Sequence, residues 1–135
     1  MYLLDTNVCI RFINGRSPIL RENFRQHKRS QMRVSIISRA ELYCGSAKSQ
    51  TPAVSGQKQM VFLKGIKTIL FDESAAVVYG DIRTDLERRG LTIGELDRMI
   101  AAVALANRFT LVTHNTREFS RVFGLTIEDW EITKP

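Results

Sequence analysis

Several features that mark other classes of protein are missing from this chain of 135 residues. No apolar run approaches the ~20 residues of a membrane-spanning helix. The first apolar run is too short for a secretory signal, because Asp5 interrupts it. Only two cysteines occur, Cys9 and Cys44, each among apolar residues of a predicted helix. We therefore expect buried, reduced thiols in a cytoplasmic protein rather than a disulfide.

The motifs of several common enzyme classes are absent as well. The chain has no Gly-x-x-x-x-Gly-Lys phosphate loop, no Gly-x-Gly-x-x-Gly dinucleotide loop and no Gly-x-Ser-x-Gly nucleophile elbow. Its few histidines and cysteines are too scattered for a zinc site. Asn7 stands where a haloacid-dehalogenase phosphatase would carry its second aspartate. These absences disfavour nucleotide-binding, serine-hydrolase and zinc chemistry.

Positive charge is concentrated in the first part of the chain. The 20 Lys and Arg outnumber the 14 Asp and Glu, which gives a net charge of +6. Residues 1–50 hold nine basic against three acidic side chains, whereas residues 51–135 hold eleven of each. The cluster includes Arg11, Arg16, Arg21, Arg25, Lys28, Arg29, Arg33 and Arg39. Such a one-sided charge attracts either nucleic acid or an acidic protein.

Short apolar runs alternate with helical patterns along the chain. Strands are predicted at residues 2–5, 33–37, 68–71 and 109–113, with a weaker one at 125–128. Helices are predicted at residues 6–13, 18–28, 39–47, 54–65, 73–89 and 95–107. Residues 45–57, rich in Ser, Gly, Gln and Thr, are predicted as a loop or helical-hairpin tip. The alternation indicates one α/β domain over residues 1–135, with a parallel sheet between helices.

Two acidic residues follow predicted strands. Asp5 ends the first strand, at the carboxyl edge where ligands bind in open α/β sheets. Glu41 falls in the first turn of a helix after the second strand. Both have an ordinary structural explanation: Asp5 as a helix N-cap, and Ser38-x-x-Glu41 as a capping box.

Asp97 is harder to explain by local structure alone. It stands near the start of a helix that is apolar on all sides from Met99 to Ala106 and should therefore be buried. A carboxylate there needs a partner, and the adjacent Arg98 does not face it. Glu95, by contrast, fits a capping box with Thr92. If Asp5, Glu41 and Asp97 converge on one cleft, they indicate a Mg²⁺ or Mn²⁺ site and phosphodiester cleavage.

Four short motifs follow one another along the chain: Leu3-Leu4-Asp5-Thr6-Asn7, Ser35-x-x-Ser38-x-x-Glu41-Leu42, Ile93-Gly94-x-x-Asp97-x-x-Ile100-Ala101 and Leu111-Val112-Thr113-x-Asn115-x-x-Glu118-Phe119. A final segment, Ile127-Glu128-Asp129-Trp130, completes the set. Together they resemble the PIN-domain ribonucleases, and among these the VapC toxins of bacterial toxin–antitoxin pairs. The resemblance extends from end to end of the chain.

The resemblance implies a single PIN-like α/β domain with strand order 3-2-1-4-5 and a metal site at the carboxyl edge. Asp5, Glu41 and Asp97 would be catalytic acids and ligands of Mg²⁺ or Mn²⁺, which activates water for RNA cleavage. Thr6 and Thr113 would orient these ligands. Asn115 stands where many PIN domains have a fourth aspartate, so we expect one tightly held ion and at most a weak second.

The resemblance also implies partners. The substrate would be a structured RNA, with tRNA the expected class, and a VapB-type antitoxin would block the cleft of a dimeric toxin. Promoter DNA would be bound only through the antitoxin. Candidate RNA contacts are His114 and the basic helix at residues 18–29, with Arg25, Lys28 and Arg29; that helix could equally contact the antitoxin. The alternatives are a non-catalytic nucleic-acid-binding protein and a metal-dependent nuclease acting on DNA.

Overall fold

A computed structural model describes residues 1–132, and within them five strands form one parallel sheet in the order β3-β2-β1-β4-β5. The strand order and α/β class predicted above are confirmed. The strands are β1 (Tyr2–Leu4), β2 (Met32–Ser35), β3 (Lys67–Ile69), β4 (Thr110–Val112) and β5 (Ile127–Glu128). The helices are α1 (Thr6–Asn14), α2 (Pro18–Gln26), α3 (Ile36–Lys48), α4 (Pro52–Leu63), α5 (Glu73–Arg88), α6 (Glu95–Ala106) and α7 (Thr116–Phe119), with a 3₁₀ turn at Arg29–Gln31.

Two hydrophobic cores lie on opposite faces of this sheet. Leu3 packs with residues of α5 and α6, whereas its neighbour Leu4 packs with residues of α1, α2 and α4. Successive side chains of a strand point to opposite faces, so a short apolar strand serves both cores. In α6, residues 100–104 are fully buried, as the all-round apolar pattern predicts.

The register of the central strands aligns their carboxyl ends. Leu4 lies opposite Val34 in β2 and Val112 in β4. Immediately beyond, the Asp5 amide donates a hydrogen bond to the Val112 carbonyl at 3.0 Å. Residues that follow these strands in sequence therefore meet at one edge of the sheet, which we call the carboxyl edge.

Several predicted helix boundaries are confirmed by the structure. Ser17 caps α2 through a 3.2 Å hydrogen bond from the Leu20 amide, with Pro18 in the first turn. Gly90 follows the end of α5 with a φ of 67°, a conformation that costs glycine nothing. These local signals determined where the helices begin and end.

Both proposed capping boxes are wrong. The second strand is Met32–Ser35 rather than 33–37, so α3 begins earlier, and Ser35 caps it by accepting a 3.1 Å bond from the Ser38 amide. Glu41 consequently lies in the second turn, beyond reach of the helix end. At α6, Gly94 occupies the cap position with no side-chain bond, so Thr92 does not cap this helix.

Of the two alternatives predicted for residues 45–57, the helical-hairpin tip is confirmed and the loop is wrong. Helix α3 continues to Lys48 and α4 starts at Pro52, which leaves three connecting residues. The Ser, Gly and Gln residues there lie largely on exposed helix faces, and polar composition was mistaken for a loop. Buried Gln59 ties the two helices together, donating 2.8 Å to the Leu42 carbonyl. The short helix α7 was not predicted, and the weak strand shrinks to Ile127–Glu128.

The cysteines are both unpaired, as expected, but only Cys9 is buried; Cys44 is exposed on α3. No helix among residues 1–132 combines the length and apolar character that crossing a bilayer requires.

Candidate active site

Asp5 stands between β1 and α1, buried at the carboxyl edge with 4% of its surface exposed. Its Oδ1 accepts a 2.7 Å hydrogen bond from the Val8 amide, and so it caps α1 as predicted. Its Oδ2 accepts a 2.5 Å bond from the Thr113 hydroxyl on the neighbouring strand end. Burial raises the pKa of Asp5, opposed by these two hydrogen bonds and by the charge of Arg11. The structural and functional interpretations of Asp5 are therefore compatible.

Glu41 is held from outside its own helix. Thr6 Oγ1 lies 2.7 Å from Glu41 Oε1 and 2.9 Å from Ser38 Oγ. Because a carboxylate only accepts, Thr6 donates to Glu41 and its oxygen is left to receive the Ser38 hydroxyl. Thr6 and Thr113 thus each orient one carboxylate, from the helix after β1 and from the end of β4.

Asp97 joins the same group of charges from the first turn of α6. Its pKa is raised to about 6 by partial burial and by the negative charges of Asp5, Glu41 and Glu118. No basic group or hydrogen bond from residues 1–132 counteracts this shift. Gly94 leaves room for the carboxylate, since a Cβ there would lie 3.2 Å from Asp97 Oδ2. The three predicted acids are brought together.

Glu118 is a fourth acid of the cluster, and its role was missed from sequence. It lies on α7, where its Oε2 accepts a 3.0 Å bond from Asn115 Nδ2. The backbone N–H of Asn115 in turn donates a 3.0 Å hydrogen bond to Thr113 Oγ1. The Asn-x-x-Glu spacing, one helical turn, was the available signal. Glu118 places a negative charge on this side of the cluster, where Asn115 is neutral.

The donor set suits a hard divalent cation. The side chains of Asp5, Glu41 and Glu118 lie close enough to Asp97 for their negative charges, together with its partial burial, to raise its pKa. Oxygen-only ligands favour Mg²⁺ or Mn²⁺ over softer metals. The residues therefore fit the ion that the resemblance implies.

The predicted RNA contacts separate into two regions. His114 follows β4 and lies at the carboxyl edge, with Nδ1 2.9 Å from Asp129 Oδ2. Arg25, Lys28 and Arg29 precede β2, which places them at the amino edge of the sheet, away from the acids. Arg29 also donates 2.8 Å to the Phe62 carbonyl and lies over the Phe62 ring, so it has a structural task.

Two surface cavities flank the acidic cluster. One lies between α1, α3 and α4 and includes Glu41 in its lining. The other is lined by Asp5, Asn7, Arg11, His114 and Asn115. Both open beside predicted catalytic acids, so groups on either side of a bond held at the acids have space to bind.

Comparison with known proteins agrees with the geometry. The PIN domain family model matches residues 2–124. The chain is 37% identical over 132 residues to ribonuclease VapC2 of Rickettsia felis, covering 97% of this chain and 98% of that protein. It is 39% identical over 129 residues to the tRNA(fMet)-specific endonuclease VapC of Shigella flexneri, covering 96% and 97%. A chain in the crystal structure of DNA-bound VapBC from Salmonella typhimurium superposes with a TM-score of 0.90 at 37% identity, covering 96% and 97%. The chain therefore belongs to the PIN-domain family and, within it, to the VapC ribonucleases of VapBC toxin–antitoxin systems.

Proposed function

We propose that this protein is a Mg²⁺- or Mn²⁺-dependent endoribonuclease toxin that cleaves tRNA and is neutralised by a VapB-type antitoxin. The observation that carries the proposal is the convergence of Asp5, Glu41 and Asp97 at the carboxyl edge, where burial and the negative charges of its neighbours raise the pKa of Asp97 to about 6. A protein that only binds nucleic acid gains nothing from acids that repel phosphates. A cation-dependent nuclease needs them.

Each side chain has a distinct task in this proposal. Asp5, Glu41 and Asp97 hold the ion, with Glu118 as a further carboxylate on the Asn115 side. Thr113 and Thr6 fix the orientation of Asp5 and Glu41 through the 2.5 and 2.7 Å hydrogen bonds. When bound, the ion would supply an activated water and offset negative charge on the phosphodiester. The hydroxyls keep the carboxylates in place before the substrate arrives.

The substrate class rests on relatives and on charge. A relative with 39% identity is named a tRNA(fMet)-specific endonuclease. The net charge of +6, concentrated in residues 1–50, favours a large polyanion. We propose tRNA as the substrate for these reasons, and initiator tRNA is the first candidate to test.

Assembly is proposed on similar grounds. Solved relatives are VapBC complexes, one of them bound to a promoter DNA fragment. Apolar side chains exposed on α3 and α4 offer a surface for an antitoxin segment beside Glu41: Tyr43, Val54, Met60 and Val61. Others, including Val77 and Phe123, suit contact between two copies. We propose that residues 1–135 form one PIN domain and that two copies form a homodimer in the cytoplasm. The dimer would contact promoter DNA only through the antitoxin.

A cleavage assay tests the proposal. Purified protein is incubated with a bulk bacterial tRNA mixture in Mg²⁺, with and without EDTA, beside Asp5→Asn. We expect discrete cleavage products that both EDTA and the substitution abolish. Products that persist in EDTA or with Asp5→Asn would overturn the mechanism, since another nuclease or another site would then be acting.

Two further arms separate the alternatives. Cleavage of single-stranded DNA at the rate found for tRNA would favour a general nuclease. Binding of tRNA without cleavage under any metal would favour a regulatory protein. Sequencing the new RNA ends identifies the target.

A further inference from the structure

Arg11 connects α1 to the segment that follows β5, at a point next to Asp5. It lies on α1, and its guanidinium forks onto Glu131, with Nε 2.7 Å from Oε1 and Nη2 2.6 Å from Oε2. The Glu131 side chain is only 8% exposed, whereas that of Arg11 is 37% exposed. A planar two-point contact with a buried carboxylate fixes the direction in which a guanidinium points.

The segment after β5, which contains Asp129 and Glu131, also holds His114 in place. Asp129 is 9% exposed at its side chain and lies 2.9 Å from His114 Nδ1. It also accepts a 2.9 Å hydrogen bond from the Glu131 amide. Two neighbouring acids, Asp129 and Glu131, therefore fix one basic and one imidazole side chain at the carboxyl edge, with His114 Nε2 on the ring side away from Asp129.

Arg11 and His114 line one cavity of about 250 Å³ with Asp5, Asn7 and Asn115. This is below the roughly 300–1,000 Å³ typical of sites for drug-sized molecules, and it suits a small group such as a phosphate. Arg11 carries the only permanent positive charge in the lining. Within residues 1–132 its Nη1 makes no hydrogen bond, so donors remain after Glu131 is satisfied.

We propose that Arg11 binds a phosphate of the RNA backbone adjacent to the one that is cleaved, and that Glu131 is the positioning residue that aims it. The proposal rests on the proposed function. Acids that hold a cation also repel the rest of the RNA backbone, so a fixed cationic side chain beside Asp5 has a physical purpose. His114, held by Asp129, lines the same cavity beside Arg11.

A metal site is the competing interpretation of this cluster. Ligand atoms of His114, Asp129 and Glu131 all lie within 4.8 Å of one another. However, both oxygens of Glu131 are already engaged by Arg11. A divalent cation placed there would stand next to a guanidinium. The arrangement therefore favours binding an anion.

The first test measures steady-state cleavage of bulk tRNA by three variants and one control. The variants are Arg11→Met, Arg11→Lys and Glu131→Gln, and the control is Arg16→Gln. Arg16 is exposed between α1 and α2, so its removal makes the same charge change away from the cavity. Loss of one charge-assisted contact predicts a fall in kcat/KM of about 10- to 100-fold for Arg11→Met. For Glu131→Gln we expect a smaller fall in kcat/KM, caused by a rise in KM. For Arg16→Gln we expect only a slight fall, because an exposed charge of the basic cluster is screened by salt.

Folding is checked by thermal unfolding of every variant, because Arg11→Met leaves Glu131 buried without its partner. Arg11→Lys retains the charge opposite Glu131 but loses the fork. It should remain folded and still lose activity. Wild-type kcat/KM in a folded Arg11→Lys protein would overturn the proposal.

Salt dependence supplies a readout that a merely structural role would not move. Binding of bulk tRNA is measured over a range of KCl concentrations for Asp5→Asn and Asp5→Asn/Arg11→Met, both unable to cleave. Losing one phosphate contact should reduce the slope of log K against log salt by about 0.7–0.9. An unchanged slope would contradict phosphate binding by Arg11.

Two further results would also be decisive. Zn²⁺ or Mn²⁺ binding to the Asp5→Asn protein that disappears with His114→Gln would identify a metal site instead. If wild-type protein fails to cleave tRNA at all, the proposed function fails first. If wild-type protein cleaves tRNA and the Arg11 variants cleave it with the wild-type kcat/KM, the proposed function stands and this inference alone falls.

Discussion

The two edges of the sheet carry opposite charges and handle them differently. At the carboxyl edge, acidic side chains are wholly or partly buried. Thr6 and Thr113 fix Glu41 and Asp5, and no basic group of residues 1–132 offsets the raised pKa of Asp97. At the amino edge, basic side chains are mostly exposed; Arg25 makes only a 3.5 Å exposed pair with Glu22. Burial makes electrostatic interactions strong at the first edge, whereas water and salt weaken them at the second.

The difference shows that charge density is a poor guide to where chemistry occurs. The strongest compositional signal, the excess of arginine in residues 1–50, leads mainly to the amino edge. The catalytic candidates come from isolated acids whose only distinction is their position after a strand or at a helix start. Arg11 is the exception, since its fork to Glu131 brings one cation to the acidic edge.

The largest expected effect comes from removing a charge at the carboxyl edge. Asp97→Asn should lower tRNA cleavage by about 1,000-fold or more, because a metal ligand supplies several kcal/mol of transition-state stabilisation. Single-turnover rates measure the change. Asp81→Asn, which removes an exposed carboxylate on α5, is the matched control. Equal losses in the two variants would show that the acids do not form the active site.

A smaller loss is expected when the support of a carboxylate is removed. Thr113→Val keeps the shape of the side chain but deletes the hydroxyl that donates to Asp5. Removing a group that hydrogen-bonds to a metal ligand lowers activity or metal affinity by about 10- to 100-fold. Thr110→Val, at the other end of β4, should have little effect on either. Mn²⁺ titration by calorimetry and cleavage rates are the measurements, and similar rates for both valine variants would contradict the role given to Thr113.

The partial burial of Asp97 and its repulsion by neighbouring acids predict a pH-dependent stability of the metal-free protein. The pKa of Asp97 is raised in the folded state, so the folded protein favours the protonated form. Its contribution to stability is present below the ordinary carboxyl pKa of 3.8 and is lost as pH rises through about 6.

In EDTA, Asp97→Asn should therefore melt a few degrees higher than wild type well above pH 6, and the gap should narrow below it. Thermal unfolding across pH measures this. Asp81→Asn again serves as control. A gap that widens on acidification would show that the sign of the shift is wrong.

The smallest effect on catalysis is expected at the amino edge. Arg25→Glu with Lys28→Glu should weaken tRNA binding only several-fold, since exposed charges are screened. The comparison is sharpened by measuring antitoxin binding on the same protein. Reduced cleavage with unchanged antitoxin binding assigns this edge to RNA, and the reverse assigns it to the antitoxin. A loss of cleavage as large as that of Asp97→Asn would show that the two edges are equally important.

Sequence predicted most of the fold because its signals are local. Ser17 with Pro18, and Gly90, mark helix ends by satisfying or permitting particular backbone conformations, and the structure retains all three. Errors arose where one local signal had two explanations. Ser38 and Glu41 have the spacing of a capping box, but Ser35 lies one turn earlier and caps the helix, which frees Glu41 to meet Thr6.

The sequence by itself determined which residues stand at strand ends and helix starts, because periodicity and capping operate over a few residues. It thereby provided Asp5, Glu41 and Asp97 as candidates and aligned them with a family. Only the tertiary structure decided which side chains meet across long separations. Thr113 reaches Asp5 across 108 residues, and Arg11 reaches Glu131 across 120. The reason is that parallel pairing of β1 with β4 and β5 with β4 brings those strand ends together, and no local pattern encodes that register.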